Sequence, residues 1–426
     1  MRMRGRLWTQ LPAARILAVC LVFALGLALF GAAGPAYAQS GGQKASAAKK
    51  VTSLRLGAHG PDTRFVIEMP QGVAYQVFTL ADPYRVVIDL PATDFDLAGD
   101  IGHTGVGVVS GYRFGQFQAG KSRIVLDVAA PVEIVKNFTL PPQSGFGHRI
   151  VLDLGPTSRE TFLAKAGWPA DFRAASLAPD ASPVAPPLEK SDESDRRKLI
   201  VIDPGHGGVD PGARGYNGAQ EKDVVLRFSH ELRRHLEASG RYVVHMTRDR
   251  DEFIRLRDRV EFARKRNADL FLSIHADSIE KSAVRGMSVY TLSENASDKE
   301  AAELAQKENL ADVIAGIDLQ GESSEVTDIL IDLAQRETKN LSVRFAKSAI
   351  DYAGKSTLLL QRSHRFAGFR VLKAPDVPSV LVELGFLTNR DDERQLTSPS
   401  WRKKVAASLA AAIDSYFGGR YAEGAR

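Results

Sequence analysis

Cysteine is almost missing from this chain of 426 residues: its single instance, Cys20, lies inside the apolar run 16–30 near the start. The surroundings of Cys20, Val19 before it and further hydrophobic residues after it, make a poor lipidation site. If that segment is removed on export, the mature chain has no thiol at all. Structural disulfides, thiolate metal ligands and a Cys-His hydrolase mechanism are then excluded together. A bias of charge is missing too. The formal net charge is +5, but residues 1–38 carry four of the arginines and no acidic residue, so 52 basic side chains remain against 51 acidic ones, a net of +1. A nearly neutral protein offers no electrostatic case for binding nucleic acid.

The start of the chain reads as a secretory signal. Arg2, Arg4 and Arg6 form a positive n-region, an apolar stretch follows, and Ala36-Tyr-Ala38 is a small-x-small cleavage site. About fifteen apolar residues are short of the roughly twenty that a bilayer span takes. Cleavage after Ala38 is expected rather than a stable membrane anchor, which places the mature protein outside the cytoplasm.

Three distant stretches read together as a zinc site. They are His206 in Val201-Ile-Asp-Pro-Gly-His-Gly-Gly208, Glu221 in Gln220-Glu-Lys-Asp223, and His275 in Leu270-Phe-Leu-Ser-Ile-His-Ala-Asp277. Two imidazoles and a carboxylate are the ligand set of a hydrolytic zinc centre whose fourth position stays open. Each candidate stands where an element starts or stops. The apolar runs 199–203 and 270–274 read as buried parallel strands, so His206 and His275 fall at carboxyl ends, where open α/β sheets gather ligands. Glu221 opens an amphipathic helix whose apolar positions Val225, Phe228, Leu232 and Leu236 recur at helical spacing until Gly240. Glu383 follows the apolar strand 380–382 and can serve as the acid/base partner of an activated water.

The rest of the chain divides around a stretch at 156–197, where Pro179, Pro183, Pro186 and Pro187 lie among Ala, Ser and Asp before a charged run. This stretch is expected to be a flexible linker. Before it, at 51–155, an internal repeat is visible. Arg64-Phe-Val-Ile-Glu-Met69, Phe78-Thr-Leu80 and Arg85-Val-Val-Ile-Asp-Leu90 recur as Arg123-Ile-Val-Leu-Asp-Val128, Phe138-Thr-Leu140 and Arg149-Ile-Val-Leu-Asp-Leu154. Alternation within each hexapeptide predicts half-buried strands, and two copies of one small sheet packed face to face would make a sandwich. The unit gathers no convergent His, Cys or acidic cluster, so it reads as a binding module; His59, His103 and His148 are expected in loops. After the linker, strands alternate with helices, predicting a three-layer α/β domain with a largely parallel sheet. Its last helix, 401–417, presents Val405, Leu409, Ala412, Ile413 and Phe417 on one face.

The four blocks around His206, Glu221, His275 and Glu383 resemble the zinc-dependent N-acetylmuramoyl-L-alanine amidases, septal cell-wall enzymes; the resemblance covers 198–417. It implies one zinc per catalytic domain, held by His206, Glu221 and His275, with Glu383 catalytic. It also implies cleavage of the amide between muramic acid and L-alanine in peptidoglycan, in the periplasm, during daughter-cell separation. The ligand set by itself equally suits a zinc peptidase cutting within the stem, and a non-catalytic wall-binding protein is a third reading. The segment 51–155, chiefly through Leu80-Ala-Asp-Pro-Tyr-Arg85, resembles the AMIN domain, which implies targeting to peptidoglycan and the division septum.

A segment at 295–329 interrupts the α/β alternation. Ser297-Asp-Lys-Glu300 reads as a capping box starting a helix that runs to Gly316. Its apolar stripe is Ala301, Leu304, Ala305, Ala311 and Ala315, and Glu308 falls within that stripe, where an ionised carboxylate needs a partner. By the same resemblance, a helix inserted here blocks the cleft and places Glu308 on the zinc until a LytM-type activator displaces it. Glu303 is the weaker candidate because it lies on the polar side.

Overall fold

Strands whose residues alternate apolar and charged must bury one face, and the first half of the chain is built this way. The computed structural model describes residues 49–81, 83–97, 105–118, 120–167, 169, 197–279, 281–315 and 329–424. The expected signal with Cys20, His103 and most of the expected linker lie outside the described residues.

The N-terminal module contains β1 (Lys50–Val51), β2 (Ser53–His59), β3 (Asp62–Met69), β4 (Gln76–Leu80), β5 (Arg85–Pro91), β6 (Asp94–Phe95), β7 (Val109–Gln118), β8 (Lys121–Val128), β9 (Val132–Leu140) and β10 (His148–Pro156). Two four-stranded sheets, ordered β2-β3-β10-β9 and β4-β5-β8-β7, face each other. Phe65, Ile67, Val86, Ile88, Ile124, Leu126, Ile150 and Leu152 form the core between them. The sandwich is as expected, but its wiring differs: each sheet mixes the two copies of the repeat instead of containing one. Strand β3 of the first copy pairs with β10 of the second, and β8 of the second pairs with β5 of the first. The exchange sets Arg64 opposite Asp153 and Arg123 opposite Asp89, so each copy's leading arginine makes a bidentate pair with the other copy's aspartate. Cross-strand pairs of opposite charge favour that register.

Two further differences concern burial. Strand β5 is buried from Arg85 to Leu90 on both faces, not on one, because the second half of the chain covers the outer face of its sheet. At the start of the expected linker, α1 (Arg159–Lys165) is helical, capped by the Ser158 side chain, and its Phe162 is buried against Tyr84 of the module at a ring separation of 5.0 Å.

The second half alternates β11 (Lys198–Pro204), α2 (Glu221–Ala238), β12 (Tyr242–Met246), α3 (Leu256–Lys265), β13 (Leu270–His275), β14 (Met287–Leu292), α4 (Lys299–Asn309), α5 (Ala311–Ile314), α6 (Ile329–Ala353), β15 (Leu359–Ala367), β16 (Ser379–Glu383), α7 (Arg390–Thr397) and α8 (Pro399–Gly424). The six strands are ordered β12-β11-β13-β16-β14-β15; all neighbours run parallel except β14 and β16. Both faces are covered, giving three layers. Ile200, Ile202, Leu272 and Val382 pack under α2, α6 and α8, while Val201, Phe271 and Leu381 pack under α3 and α4. The last helix buries Val405, Leu409, Ala412, Ile413 and Phe417 as expected and continues to Gly424. The strand β15, with its polar run Gln361-Arg362-Ser363-His364-Arg365, is an edge strand that no apolar periodicity announced.

Candidate metal centre

The order β11-β13-β16 brings three carboxyl ends side by side. His275 and Glu383 are register partners on adjacent parallel strands, and Asp203 of β11 lies opposite Ser273. The chain leaves β11 through a turn that puts His206 in the left-handed region, with φ at 56°. A non-glycine residue held there carries strain that its surroundings must offset. The surroundings here are two buried arginines that donate to the turn's carbonyls. Arg259 reaches His206 O at 2.8 Å and Pro204 O at 2.7 Å, and Arg248 reaches Gly205 O at 2.7 Å. Arg259 is itself held by the buried Asp203, 2.9 Å away, which also accepts from Thr247 and Ser273. Gly205 allows the close approach of His275, since a β carbon there would overlap the imidazole ring.

His206 Nδ1 stands 2.8 Å from Asp210 Oδ2, which leaves Nε2 facing inward without a hydrogen-bond partner. Glu221, the first residue of α2, is fully buried; Oε2 accepts from Ala213 N at 2.8 Å and Oε1 from Ala276 N at 2.9 Å. The same Oε1 lies 3.1 Å from His206 Nε2 and 3.2 Å from His275 Nδ1.

The fourth side of this cluster is closed by α4. Glu308 is 4% exposed, and its Oε2 lies 3.5 Å from His206 Nε2 and 3.3 Å from His275 Nδ1. Ala301, Leu304, Ala305, Ala311 and Ala315 are all buried, the first three in one cluster on α4 and Ala315 in a separate one beyond the helix break. Glu303 is exposed and faces Lys299 at 3.3 Å. The start of the helix differs from expectation. Asp298 rather than Ser297 is the cap, accepting from Ala301 N at 2.9 Å, while Glu300 turns to Arg365 at 2.9 Å instead of back to the helix start. A kink at Leu310 separates α4 from α5. Lys307 fastens the helix further by donating to Asp277 and, at 3.1 Å, to Ser278.

These separations fit a metal ion. Four donors about 2.0–2.1 Å from zinc in a tetrahedron stand about 3.3–3.4 Å from one another. Of the six edges of such a set, the four between a carboxylate oxygen and an imidazole nitrogen are 3.1 and 3.2 Å for Glu221 and 3.5 and 3.3 Å for Glu308. The electrostatics agree, because buried carboxylates outnumber the imidazoles. Burial pulls the His206 imidazole down, but Glu221, Asp210 and Glu308 outweigh it and hold it well above its ordinary value. Burial works against ionised Glu221, yet His206 and His275 hold it well below the carboxylate range. Glu308 is raised by burial, with Glu221 and Asp277 opposing the two imidazoles. Such an anionic cluster of mixed N and O donors suits a divalent cation of the zinc type.

Glu383 is fully buried beside the cluster. Its Oε2 accepts from Asp277 N at 3.0 Å and its Oε1 has no hydrogen-bond partner. Burial, with Asp277, Glu221 and Glu308 adding to it, pushes its carboxyl well above the ordinary range. A carboxyl that both takes and returns a proton near neutral pH needs such a shift. All five residues picked from sequence, His206, Glu221, His275, Glu308 and Glu383, thus meet in one place. The supporting residues Asp203, Arg248 and Arg259 were not picked out, and nothing local marks them. Asp210 could have been found, four residues after His206 in the same block.

Comparison with known proteins is consistent with this site. Residues 200–415 match the family model described as N-acetylmuramoyl-L-alanine amidase, and residues 54–154 match the AMIN domain. An N-acetylmuramoyl-L-alanine amidase AmiC of Escherichia coli O6:H1 is 35% identical over 383 residues, spanning 87% of this chain and 90% of the relative. An AmiC of Neisseria meningitidis serogroup B is 34% identical over 385 residues, with the same two shares. An AmiA of Escherichia coli K12 is 41% identical over 229 residues, 54% of this chain and 79% of that protein.

Proposed function

The chain belongs to the N-acetylmuramoyl-L-alanine amidase family, and from that premise we propose that it is a self-inhibited zinc amidase of the periplasm, acting on peptidoglycan at the division septum. Its substrate bond is the amide joining muramic acid to L-alanine. The observation that carries the reading is that Glu221 of α2 and Glu308 of the inserted helix each stand within 3.5 Å of both His206 and His275, and that the two histidines and Glu308 are close enough together to share one metal ion. A hydrolytic centre keeps its fourth position for water. On this reading Glu308 would take that position, which makes the arrangement described the closed form.

His206, Glu221 and His275 would hold the metal, with Asp210 fixing the His206 ring so that Nε2 points inward. Bound zinc would supply Lewis acidity, polarising the scissile carbonyl and acidifying an attacking water. Glu383 then takes the proton from the attacking water and delivers it to the leaving amide nitrogen. Its unpartnered Oε1 and its raised proton affinity suit both halves of that transfer. Asp277, through its N–H, keeps the other oxygen of Glu383 in place.

Opening requires that α4 leave the cleft. Lys307 on Asp277, Asn309 on Gly368 O at 2.8 Å and Asp312 on Leu256 N at 3.0 Å are among the contacts that must break. A LytM-type activator is the proposed agent. The N-terminal signal supports export, and no described helix is long and apolar enough to cross a membrane.

The test is digestion of purified murein by the mature protein and by Glu308→Ala, both loaded with zinc, with fragments identified by mass spectrometry. The variant releases intact stem peptides, and at least about tenfold faster than wild type without any activator, because a charge-assisted contact of about 1.5 kcal/mol or more is lost. Stems shortened within the peptide would point to a peptidase instead. Equal low release by both proteins, with zinc occupancy verified, would remove Glu308 from the mechanism.

A further inference from the structure

The contacts that close the cleft do not all come from the catalytic domain. Helix α5 is a single turn, Ala311–Ile314, and the carbonyls of Val313, Ile314 and Ala315 lie at its carboxyl end. Three arginines of the N-terminal module meet these carbonyls. Arg85 donates to Val313 O, Arg113 to Ile314 O at 2.8 Å and Arg123 to Ala315 O at 3.1 Å. All three stand on the sheet β4-β5-β8-β7, on strands β5, β7 and β8. Asp89 holds Arg123 from beside it and Asp127 holds Arg113, so the guanidiniums are aimed before the helix arrives. Buried Ala315 packs in one apolar cluster with Phe117 and Val125 of the module and with Val209 and Phe253 of the catalytic domain.

The same sheet edge reaches the loop that carries His206. Val209 N donates to Gln116 O at 3.3 Å, and the rings of Phe117 and Phe253 stack at 6.1 Å. The backbones approach so closely that a β carbon on Gly115 would collide with the carbonyl of Gly208.

From this we infer that the arginine face of the N-terminal module is a docking site for the carbonyl end of the closing helix, so that the module itself helps hold the cleft shut. The occupant is residues 311–315 of the same chain. The closing role rests on the self-inhibition proposed above, whereas the docking does not. The inference explains why the charged outer face of β5 and β8 is buried, when the matching face of the other sheet leaves Arg64 30% exposed. A module serving only to bind the wall would have no need to match three guanidiniums to three consecutive carbonyls.

Amide hydrogen exchange and murein hydrolysis, measured on the zinc-loaded mature protein, test the inference. Wild type is compared with Arg113→Ala, Gly115→Ala and Glu308→Ala. Arg113→Ala removes one donor; Gly115→Ala leaves every charge in place and forces the two surfaces apart. Unchanged exchange within β3 and β10 verifies that the module remains folded in both. Exchange over 299–315 is expected to be about tenfold faster in each interface variant, the weight of one charge-assisted hydrogen bond, with a parallel rise in hydrolysis. Unchanged exchange over 299–315 in both variants overturns the docking, whatever Glu308→Ala does. Faster exchange with no gain in hydrolysis, while Glu308→Ala is active, overturns the closing role. Faster exchange in both, with Glu308→Ala no more active than wild type, upholds the docking and rejects the self-inhibition on which the closing role rests.

Discussion

In the Glu308→Ala background, where the cleft is free, His206→Ala or His275→Ala is expected to lose zinc and activity together. Each histidine contributes one of three donors, and its Nε2 or Nδ1 faces the same point within 3.1–3.2 Å of the Glu221 oxygen. Two remaining donors hold a divalent ion poorly. Removing a residue that merely orients a metal ligand costs about 10- to 100-fold in affinity, so loss of the ligand itself should exceed about a hundredfold. The background matters, because in the otherwise wild-type chain Glu308 would supply a third donor and conceal the loss. Zinc content after dialysis against a weak chelator, read beside the rate of murein hydrolysis, checks the expectation. A His206→Ala protein that keeps zinc and turnover would place the metal elsewhere.

Glu383→Gln should separate what the histidine variants lose together. Glutamine keeps the shape and can still accept from Asp277 N, but it cannot carry the proton from water to the leaving nitrogen. Turnover should fall by about 10²–10⁴-fold, the usual weight of a positioned acid/base group, with zinc retained at wild-type occupancy. Replacing the carboxylate also removes the repulsion that Glu383 shares with Asp277, Glu221 and Glu308, so the fold should be no less stable. Wild-type rates with zinc bound would show that another group moves the proton. Loss of zinc as well would make Glu383 part of the metal site rather than its partner.

Much of this site could be read from the sequence because each donor marks the end of an element. The apolar runs before His206, His275 and Glu383 become β11, β13 and β16, and parallel neighbours share carboxyl ends. That Glu308 faces inward and needs a partner was legible from its phase within an alanine and leucine stripe, whereas its place beside the metal ligands came from the family resemblance. The capping residue is Asp298 and not the neighbouring Ser297: both residue types cap well, and it is Asp298 whose extended backbone lets its side chain accept from Ala301 N.

What stayed hidden depends on pairing over long separations. Arg259 and Arg248 clamp the turn at 204–206 from more than forty residues away, and no spacing links them to it. The repeat gave the strands of the module but not their partners. Sheets made within a copy or between copies bury the same apolar faces and offer equivalent arginine–aspartate pairs, so the repeat leaves the partners open; the pairs that form are Arg64–Asp153 and Arg123–Asp89. The arginines that meet α5 read as ordinary outward residues of half-buried strands, and their burial depends on a second domain. The edge strand β15 escaped notice for a related reason, since a strand paired on one side can remain polar.

The claim that four side chains converge on one zinc, the fourth being inhibitory, is tested most directly by a crystal structure of the zinc-loaded mature protein, with the metal located by anomalous scattering at its absorption edge. The account predicts one peak per catalytic domain, with His206 Nε2, His275 Nδ1, Glu221 and Glu308 oxygens each about 2.0–2.2 Å away, and Glu383 nearby but uncoordinated. A peak lacking either histidine, or a zinc whose fourth ligand is water while α4 lies elsewhere, would contradict it.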